Sequence, residues 1–359
     1  MDKERIQDFV CALPLKVVDA MARIDAHASE CSLIFIVDNE KHLIGCVTDG
    51  DIRRWILKAG DLSASVESFM NKTPIFIGEI NRGNARKIML EKSITALPVV
   101  DEEKRITDII ILEKNGKITK AKKSLKGIPV VIMAGGKGTR LYPYTKILPK
   151  PLIPIGDTPI VERIIDCYVE YGINKYFMTV NYKKGMLRSY FNDLNPDYEV
   201  VFVEEDKPLG TGGSIKLIEE KFDKPLFVTN CDALIRADYA DIYDYHVTNG
   251  NDITMVSALK NITVPYGVIN SGENGELISM EEKPKLAYFI NTGMYVINPD
   301  TIDLIPYDTM FHMTHLVEKV MKNGGKVGTY PISEDSFLDM GEFEELKRME
   351  QKLNIISET

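Results

Sequence analysis

The run SLIFIVDNEKHLIGCV, beginning at Ser32, aligns without a gap with TALPVVDEEKRITDII, beginning at Thr95, at a constant offset of 63 positions. Asp38, Glu40 and Lys41 fall on Asp101, Glu103 and Lys104. In each copy an apolar run reads as a strand, the charged DNEK or DEEK as a hairpin turn, and the following run as a second strand. Helical periodicity precedes both copies, over VVDAMARIDAHA and NARKIMLEKS. A β-α-β-β-α unit of this size is too small to bury a core alone, so the two copies are expected to pack on each other. This predicts a tandem module over residues 1–112, with repeats at about 1–60 and 61–112.

After Ile111 the text turns polar. Lys114, Lys117, Lys120, Lys122, Lys123 and Lys126 crowd a stretch without apolar periodicity, read as an exposed linker over 113–127. A nucleic-acid tag is the other reading of such a run. The whole chain carries a formal charge of −9, which argues against broad binding to nucleic acid or to anionic membranes. No window approaches the ~18 uninterrupted apolar residues of a membrane span. The opening MDKERIQDFVCALPL has too short an apolar run for a signal peptide. Cys11, Cys31, Cys46, Cys167 and Cys231 are scattered, with no CxxC pair. Neither a zinc site nor a disulfide framework is expected, and a cytoplasmic location is.

From Ile128 to the end, strands and helices alternate. IPVVIMA is a strand, PIVERIIDCYVEYG a helix with a glycine stop, NKYFMTVNY a strand, GMLRSYFNDL a helix, and YEVVFVEE and KPLFVTNCD further strands. That rhythm predicts an α/β, Rossmann-like domain over 128–359, with a mixed, mainly parallel sheet covered by helices. Ligands of such sheets sit beyond the carboxyl ends of the strands. The first strand there runs into AGGKGTR, where Gly135, Gly136 and Gly138 let backbone N–H groups approach a phosphate. The loop is neither GxGxxG nor GxxxxGK[ST], which lowers the dehydrogenase and P-loop readings. Arg140, Lys146 and Lys150 follow within one loop length, and Pro149 and Pro151 stiffen the placement of Lys150. Fixed positive charge beside a glycine nest suits a polyphosphate.

The stretch GGKGTRLYPYTKILPKPLIPIG resembles the signature of sugar-1-phosphate nucleotidyltransferases, and further motifs follow in that family's order over about 128–350. EEDKPLGTGGS, from Glu204, is similar to the segment that closes over the nucleotide base. TNCD ends at Asp232, the position of a metal-binding aspartate. EEKP, from Glu281, is similar to the motif that meets sugar and phosphate, NTGMYV, from Asn291, to the sugar-binding turn, and FLDMGEFEEL supplies Asp339, the usual second metal ligand. Taken alone, an aspartate after a strand is a turn former, Lys283 a surface lysine and Asn291-Thr292-Gly293 a hairpin turn. The ordered set is what carries the resemblance.

The resemblance implies in-line attack by a sugar phosphate oxygen on the α-phosphorus of a nucleoside triphosphate, with loss of pyrophosphate. The nucleophile is already an anion, so catalysis rests on positioning and charge neutralisation. The implied roles are Arg140 and Lys150 on the triphosphate, Lys283 on the sugar phosphate, and Asp232 and Asp339 on Mg²⁺. Met133, Gly135, Gly136, Gly138, Thr139, Glu205, Gly210 and Thr211 would frame the nucleotide. Asn181, Glu282, Asn291, Thr292 and Gly293 would meet the sugar. His312 and His315 lie three apart with no third ligand evident, so an interface or core role is expected of them.

LIGCVTDGDIRRWIL resembles the end of a CBS repeat, where Thr48 and Asp51 would hold the ribose and phosphate of an adenine or guanine nucleotide. The aligned positions in the second repeat are Ile111 and Lys114, which cannot do so. A module that only dimerises is the alternative, and a homo-oligomer is implied either way. CBS pairs fused to this transferase resemble the guanylyltransferases that make GDP-glucosamine for legionaminic acid and related nonulosonates. GTP and glucosamine 1-phosphate are the substrates so implied. Mannose 1-phosphate or heptose 1-phosphate guanylyl transfer, a UDP- or CDP-sugar synthase, and a non-catalytic nucleotide sensor are the rivals.

Overall fold

The computed structural model describes residues 3–27, 31–58, 60–92, 94–111, 123–341 and 343–353. It divides into two compact units: Met1–Ala121 with Leu259–Tyr288 and Ser333–Asp335, and Lys122–Ala258 with Phe289–Ile332 and Ser336–Thr359. Residues 113–122 of the Lys-rich linker lie outside the described residues, as does the segment that would carry the second repeat's last helix.

In the first unit the duplication extends to the backbone. Val10–Ala12 pairs in parallel with Leu33–Val37, which pairs antiparallel with Leu43–Thr48. Ile77–Gly78 pairs in parallel with Ala96–Val100, which pairs antiparallel with Ile106–Ile111. Both hairpins slip register at the same place, between Ile36 and Val37 and between Val99 and Val100. The reason is the turn. Asp38 Oδ1 accepts the N–H groups of Glu40 and His42 at 2.9 Å, and Asp101 Oδ1 accepts those of Glu103 and Arg105 at 2.9 and 2.8 Å. Each aspartate thereby bends the chain until Lys41 (φ 70°) and Lys104 (φ 62°) enter the left-handed region. Phe9, Phe35 and Leu43 of one copy share a core with Ala96, Val100 and Ile109 of the other. Each repeat adds a cluster of its own, Val17, Ile24, Ile34 and Ile52 in the first and Ile77, Met89, Leu97 and Val99 in the second, and the shared core joins the two. The same unit holds the antiparallel hairpin of Val268–Ser271 and Leu277–Glu281.

The second unit is built on a seven-stranded sheet in the order Glu199–Glu204, Lys175–Val180, Val130–Met133, Leu226–Asn230, Lys285–Ile297, Ile253–Thr263 and Val327–Ile332. The first four strands are parallel, Lys285–Ile297 runs antiparallel to Leu226–Asn230, and Val327–Ile332 is parallel to Ile253–Thr263. Along Val130–Met133 successive side chains enter different cores, Val130 and Ile132 on one face and Val131 and Met133 on the other. That is why the run is apolar without alternation. The helix Ile160–Val169 buries Ile160, Val161, Ile164, Ile165 and Tyr168, an amphipathic spacing, against one face. Met133 sits level with Thr179 and with Asn230, so the loops after these strands open on one edge. Among the described residues no helix is long and apolar enough to cross a membrane.

Fully buried His246 ties this sheet to the helix Tyr239–Asn249 through Thr254 Oγ1 at 2.9 Å and Asn298 Oδ1 at 3.1 Å. Burial holds its imidazole below the usual histidine range. The depressed value means that the unfolded chain takes up a proton that the folded one resists. The neutral-ring stability is therefore present above about pH 6.5 and lost as pH falls below it. His246→Gln should be less stable than wild type at pH 7.5 and lose less stability between about pH 6.5 and 5 in urea titrations. Parallel pH profiles would show that His246 does not titrate on unfolding.

Candidate functional site

The loop after Val130–Met133 turns at Gly138, in the left-handed region at φ 64°, and forms a short helical turn over Thr139–Leu141. Thr145 Oγ1 donates to the Gly138 carbonyl at 2.8 Å and holds that turn. Gly136 and Thr139 remain exposed at its tip. After the helical turn Tyr144–Ile147, Lys150 starts a further short turn, Lys150–Leu152, directly behind Pro149, and is only 8 % exposed. Its ammonium is ion-paired with Asp232. An ammonium this deep needs such a partner, because desolvating it alone costs several kcal/mol.

Asp232 follows the strand Leu226–Asn230, and the strand after it, Ala233–Ile235, pairs antiparallel with Phe337–Asp339. Ala233 faces Asp339, and the Met340 N–H donates to the Asp232 carbonyl at 2.8 Å. Two carboxylates more than one hundred positions apart are thus locked side by side. Burial, and next the charge of Asp232, pushes the Asp339 carboxyl up, while Lys150 and Arg140 pull it down. Arg140, Lys150, Asp232 and Asp339 therefore share one electrostatic corner. Among the described residues no cluster of three or more His, Cys, Asp or Glu is placed to hold a metal. Two repelling carboxylates nonetheless fit Mg²⁺, which binds through one or two carboxylates and takes its other ligands from phosphate and water.

The glycine turn of Leu209–Gly213 has a different reason for its composition. Phe311 N–H donates to the Leu209 carbonyl at 2.8 Å, and the Phe311 carbonyl accepts Gly212 and Gly213 N–H, each at 2.9 Å. Met313 N–H donates to Thr211 Oγ1 at 3.1 Å, and Thr211 N–H donates to His312 Nδ1 at 3.4 Å. Lys207 pairs with Asp308 at 2.7 Å. Gly210 has φ 77°, and a Cβ there would lie 2.7 Å from the Phe311 carbonyl oxygen. The turn is glycine-rich because a second backbone segment presses on it.

Glu205 is 4 % exposed, accepts Leu209 N–H at 3.0 Å, and would lie 2.5 Å from a Cβ on Gly135. Burial pushes its carboxyl up. Asn181, expected at the sugar, donates instead to the Glu205 carbonyl at 2.8 Å. Thr292 is buried and donates to the Val256 carbonyl at 2.7 Å, so its hydroxyl is structural. Asn291 donates to the Tyr295 hydroxyl at 2.6 Å and accepts Gly293 N–H at 3.0 Å.

A cavity of about 230 Å³ opens in this unit, lined by Met133, Thr211, Asn230, Asn291, Gly293, Tyr295, His312, Met313 and Thr314. It joins four expected ligand contacts, Met133, Thr211, Asn291 and Gly293, to five residues that were not among them. Asn230 had a signal, since it precedes Asp232 in TNCD. His312, expected at an interface or in a core, lines the cavity because its ring is tied to the glycine turn. Glu282 and Lys283 belong to the first unit, where both are exposed, Lys283 with φ 46°, and the Glu282 carboxylate lies beside Gly267. Thr48 and Asp51, also there, form a capping box on the helix Asp49–Leu57: Thr48 Oγ1 donates to Asp51 Oδ2 at 2.7 Å and accepts Asp51 N–H at 3.1 Å.

The nucleotidyl transferase model matches residues 129–354, which takes in every element of the charged corner and the cavity. The chain belongs to the nucleotidyl transferase family. The CBS domain model matches residues 10–58 and 66–114 of the chain, one match on each repeat. The mannose-1-phosphate guanyltransferase of Debaryomyces hansenii is 36% identical over 190 residues, covering 50% of this chain and 52% of its own. The UTP–glucose-1-phosphate uridylyltransferase of Synechocystis is 33% identical over 195 residues, covering 49% and 50%. The chain spans about half the length of these curated relatives. A solved Bacillus anthracis chain, assigned as a glucose-1-phosphate thymidylyltransferase, shares the fold with a TM-score of 0.51 at 21% identity, over 65% of this chain and 97% of that one.

Gly210→Ala should cost on the order of 1–3 kcal/mol, from the positive φ and the Phe311 contact together. Urea denaturation measures it, and a loss below about 0.5 kcal/mol would mean that the two segments do not press on each other.

Proposed function

We propose that the chain transfers a guanylyl group from GTP to a sugar 1-phosphate and releases pyrophosphate. The observation that carries this reading is the single corner shared by Arg140, Lys150, Asp232 and Asp339 at the carboxyl ends of a mainly parallel sheet. A binding-only sensor has no need of paired carboxylates beside a buried lysine. In the proposed reaction a sugar phosphate oxygen forms a bond to the α-phosphorus as the bond to the pyrophosphate oxygen breaks. The anionic nucleophile needs no base, so the protein supplies alignment and charge. Lys150 and Arg140 hold the triphosphate, and Asp232 and Asp339 would hold Mg²⁺. When bound, Mg²⁺ supplies neutralisation of phosphate charge. Gly135, Gly136, Gly138, Thr139 and the Leu209–Gly213 turn frame the nucleotide.

Guanine is favoured by the likeness of the PLGTGG segment to guanylyltransferases and by the names of relatives such as the Debaryomyces protein. Glucosamine 1-phosphate is the acceptor that the CBS fusion implies, for legionaminic acid or a related nonulosonate, and mannose 1-phosphate is the acceptor that the relatives' names favour. Pyrophosphate release with GTP, UTP, CTP and dTTP against glucosamine, mannose, glucose and heptose 1-phosphates decides between them. A guanylyltransferase is fast only with GTP, and the reading fails if another triphosphate is used at least as well. Thr48 and Asp51 remain the proposed nucleotide corner of the CBS pair, with dimerisation as its other role.

Asp232→Asn should cut turnover by orders of magnitude while far-UV circular dichroism stays unchanged, because Lys150 loses its counter-charge and the carboxylate pair is broken. Near-normal turnover would remove Asp232 from the site.

A further inference from the structure

The cavity beside the charged corner contains no Asp, Glu, Lys or Arg among its lining residues. Its wall combines two methionines with Thr211, Asn230, Asn291, Tyr295, His312 and Thr314. Apolar faces interleaved with neutral hydrogen-bonding groups suit a body with C–H faces and a rim of hydroxyls, and suit a phosphate poorly. Asn230 precedes Asp232 by two residues, at most about 7 Å of extended chain. A ring seated in the cavity would therefore carry a phosphate substituent to the corner where Lys150 and Asp232 meet.

Not every polar group of the wall is available to such a ring. The Asn291 amide is engaged at both ends, by Tyr295 and by Gly293. Thr211 uses its N–H on His312 and accepts Met313 N–H at its hydroxyl. His312 differs. A backbone N–H can only donate, so His312 Nδ1, which receives that of Thr211 at 3.4 Å, is unprotonated and the ring's proton sits on Nε2. The ring is fixed in place as well, in edge contact with His315 at 5.2 Å between centroids, while His312 N–H donates to His315 Nδ1 at 3.3 Å. One edge of the imidazole is thus fastened to the glycine turn, and the opposite edge carries a donor.

We propose that His312 is a specificity-determining residue for the acceptor, donating its Nε2–H to a hydroxyl of the hexose ring of the sugar 1-phosphate. The assignment rests on the guanylyltransferase reading above. Two substitutions separate the two edges of the ring. Asparagine places its amide near Nδ1, so it can still receive Thr211 N–H but presents no donor at the far edge. Glutamine places its amide N–H near Nε2. His312→Asn should raise KM for the sugar 1-phosphate about fivefold, the size of one neutral hydrogen bond, with KM for GTP and the melting temperature near wild type. His312→Gln should bring the sugar KM back to within about twofold of wild type. An unchanged sugar KM in His312→Asn, or equal losses in both variants, would overturn the assignment.

Nitrogen-15 spectra of the full chain, labelled at its five histidines, separate this proposal from the reading beneath it. The His312 signals, identified by their loss in His312→Asn, should show the Nε2-protonated tautomer. They should move further on adding GDP-mannose or GDP-glucosamine than on adding GDP alone, which reaches His312 only through the Thr211 turn. A sugar-dependent shift in a protein that turns over no triphosphate and sugar pair would sink the guanylyltransferase reading and leave the His312 contact standing. Turnover with an unmoved His312 would do the reverse, and neither turnover nor shift would remove both.

Discussion

The buried Lys150–Asp232 ion pair constrains everything around the charged corner. An ammonium and a carboxylate withdrawn from water stay charged only if each faces an opposite charge in good geometry, and removing either leaves a costly orphan. Three separate devices hold that geometry. Pro149 and Pro151 limit the backbone that presents Lys150. The Ala233–Ile235 strand fixes Asp232 by pairing with Phe337–Asp339, and the Met340 N–H closes the ladder onto the Asp232 carbonyl. Asp339 then sits where the negative charge of Asp232 raises its own carboxyl and the two cations lower it. The corner is balanced in charge without substrate, so bound phosphates and their counter-cation would exchange partners with groups already in position.

The sequence made the repeat legible almost to the residue, because its determinants are local. Asp38 and Asp101 shape their own turns within four positions, and the register slip they impose recurs at the same offset. The alternation after Ile128 was legible for the same reason, since strands buried on both faces and amphipathic helices write their periods directly. The motif residues Arg140, Lys150, Asp232 and Asp339 were found only as a set, and the structure shows them converging within the second unit.

What could not be read were contacts between segments far apart in the chain. Gly210 reads as ligand-facing, whereas it and its neighbours Gly212 and Gly213 make room for backbone about a hundred positions downstream. No local pattern announces that partner. Asn181 and Thr292 were expected to meet sugar, yet their side chains hold the carbonyls of Glu205 and Val256. A short polar side chain near a ligand loop satisfies backbone and substrate with the same chemistry, and only the position of the facing strand decides between them. The place of His312 in the cavity wall was equally invisible, because its tie to the Thr211 N–H joins segments about a hundred positions apart. Thr48 and Asp51 carry the same ambiguity, since a capping box and a phosphate-binding corner call for the same two residue types.

Charge and neutrality are divided in the second unit along a single strand end. Asn230 faces the uncharged cavity, and Asp232, two residues on, belongs to the charged corner. A strand followed by a turn delivers such a change of environment over a few ångströms, which a helix of the same length would spread around its circumference. The division matters chemically. Phosphates need strong fixed charges that would bind any phosphate alike, whereas a sugar is told from its epimers by single neutral hydrogen bonds. Mixing the two kinds of group in one pocket would let the charges dominate and blur the discrimination. In the proposed reaction, keeping them adjacent would let the corner bind and align the phosphate while the cavity, with its two methionines and its fixed imidazole, would read the ring attached to it.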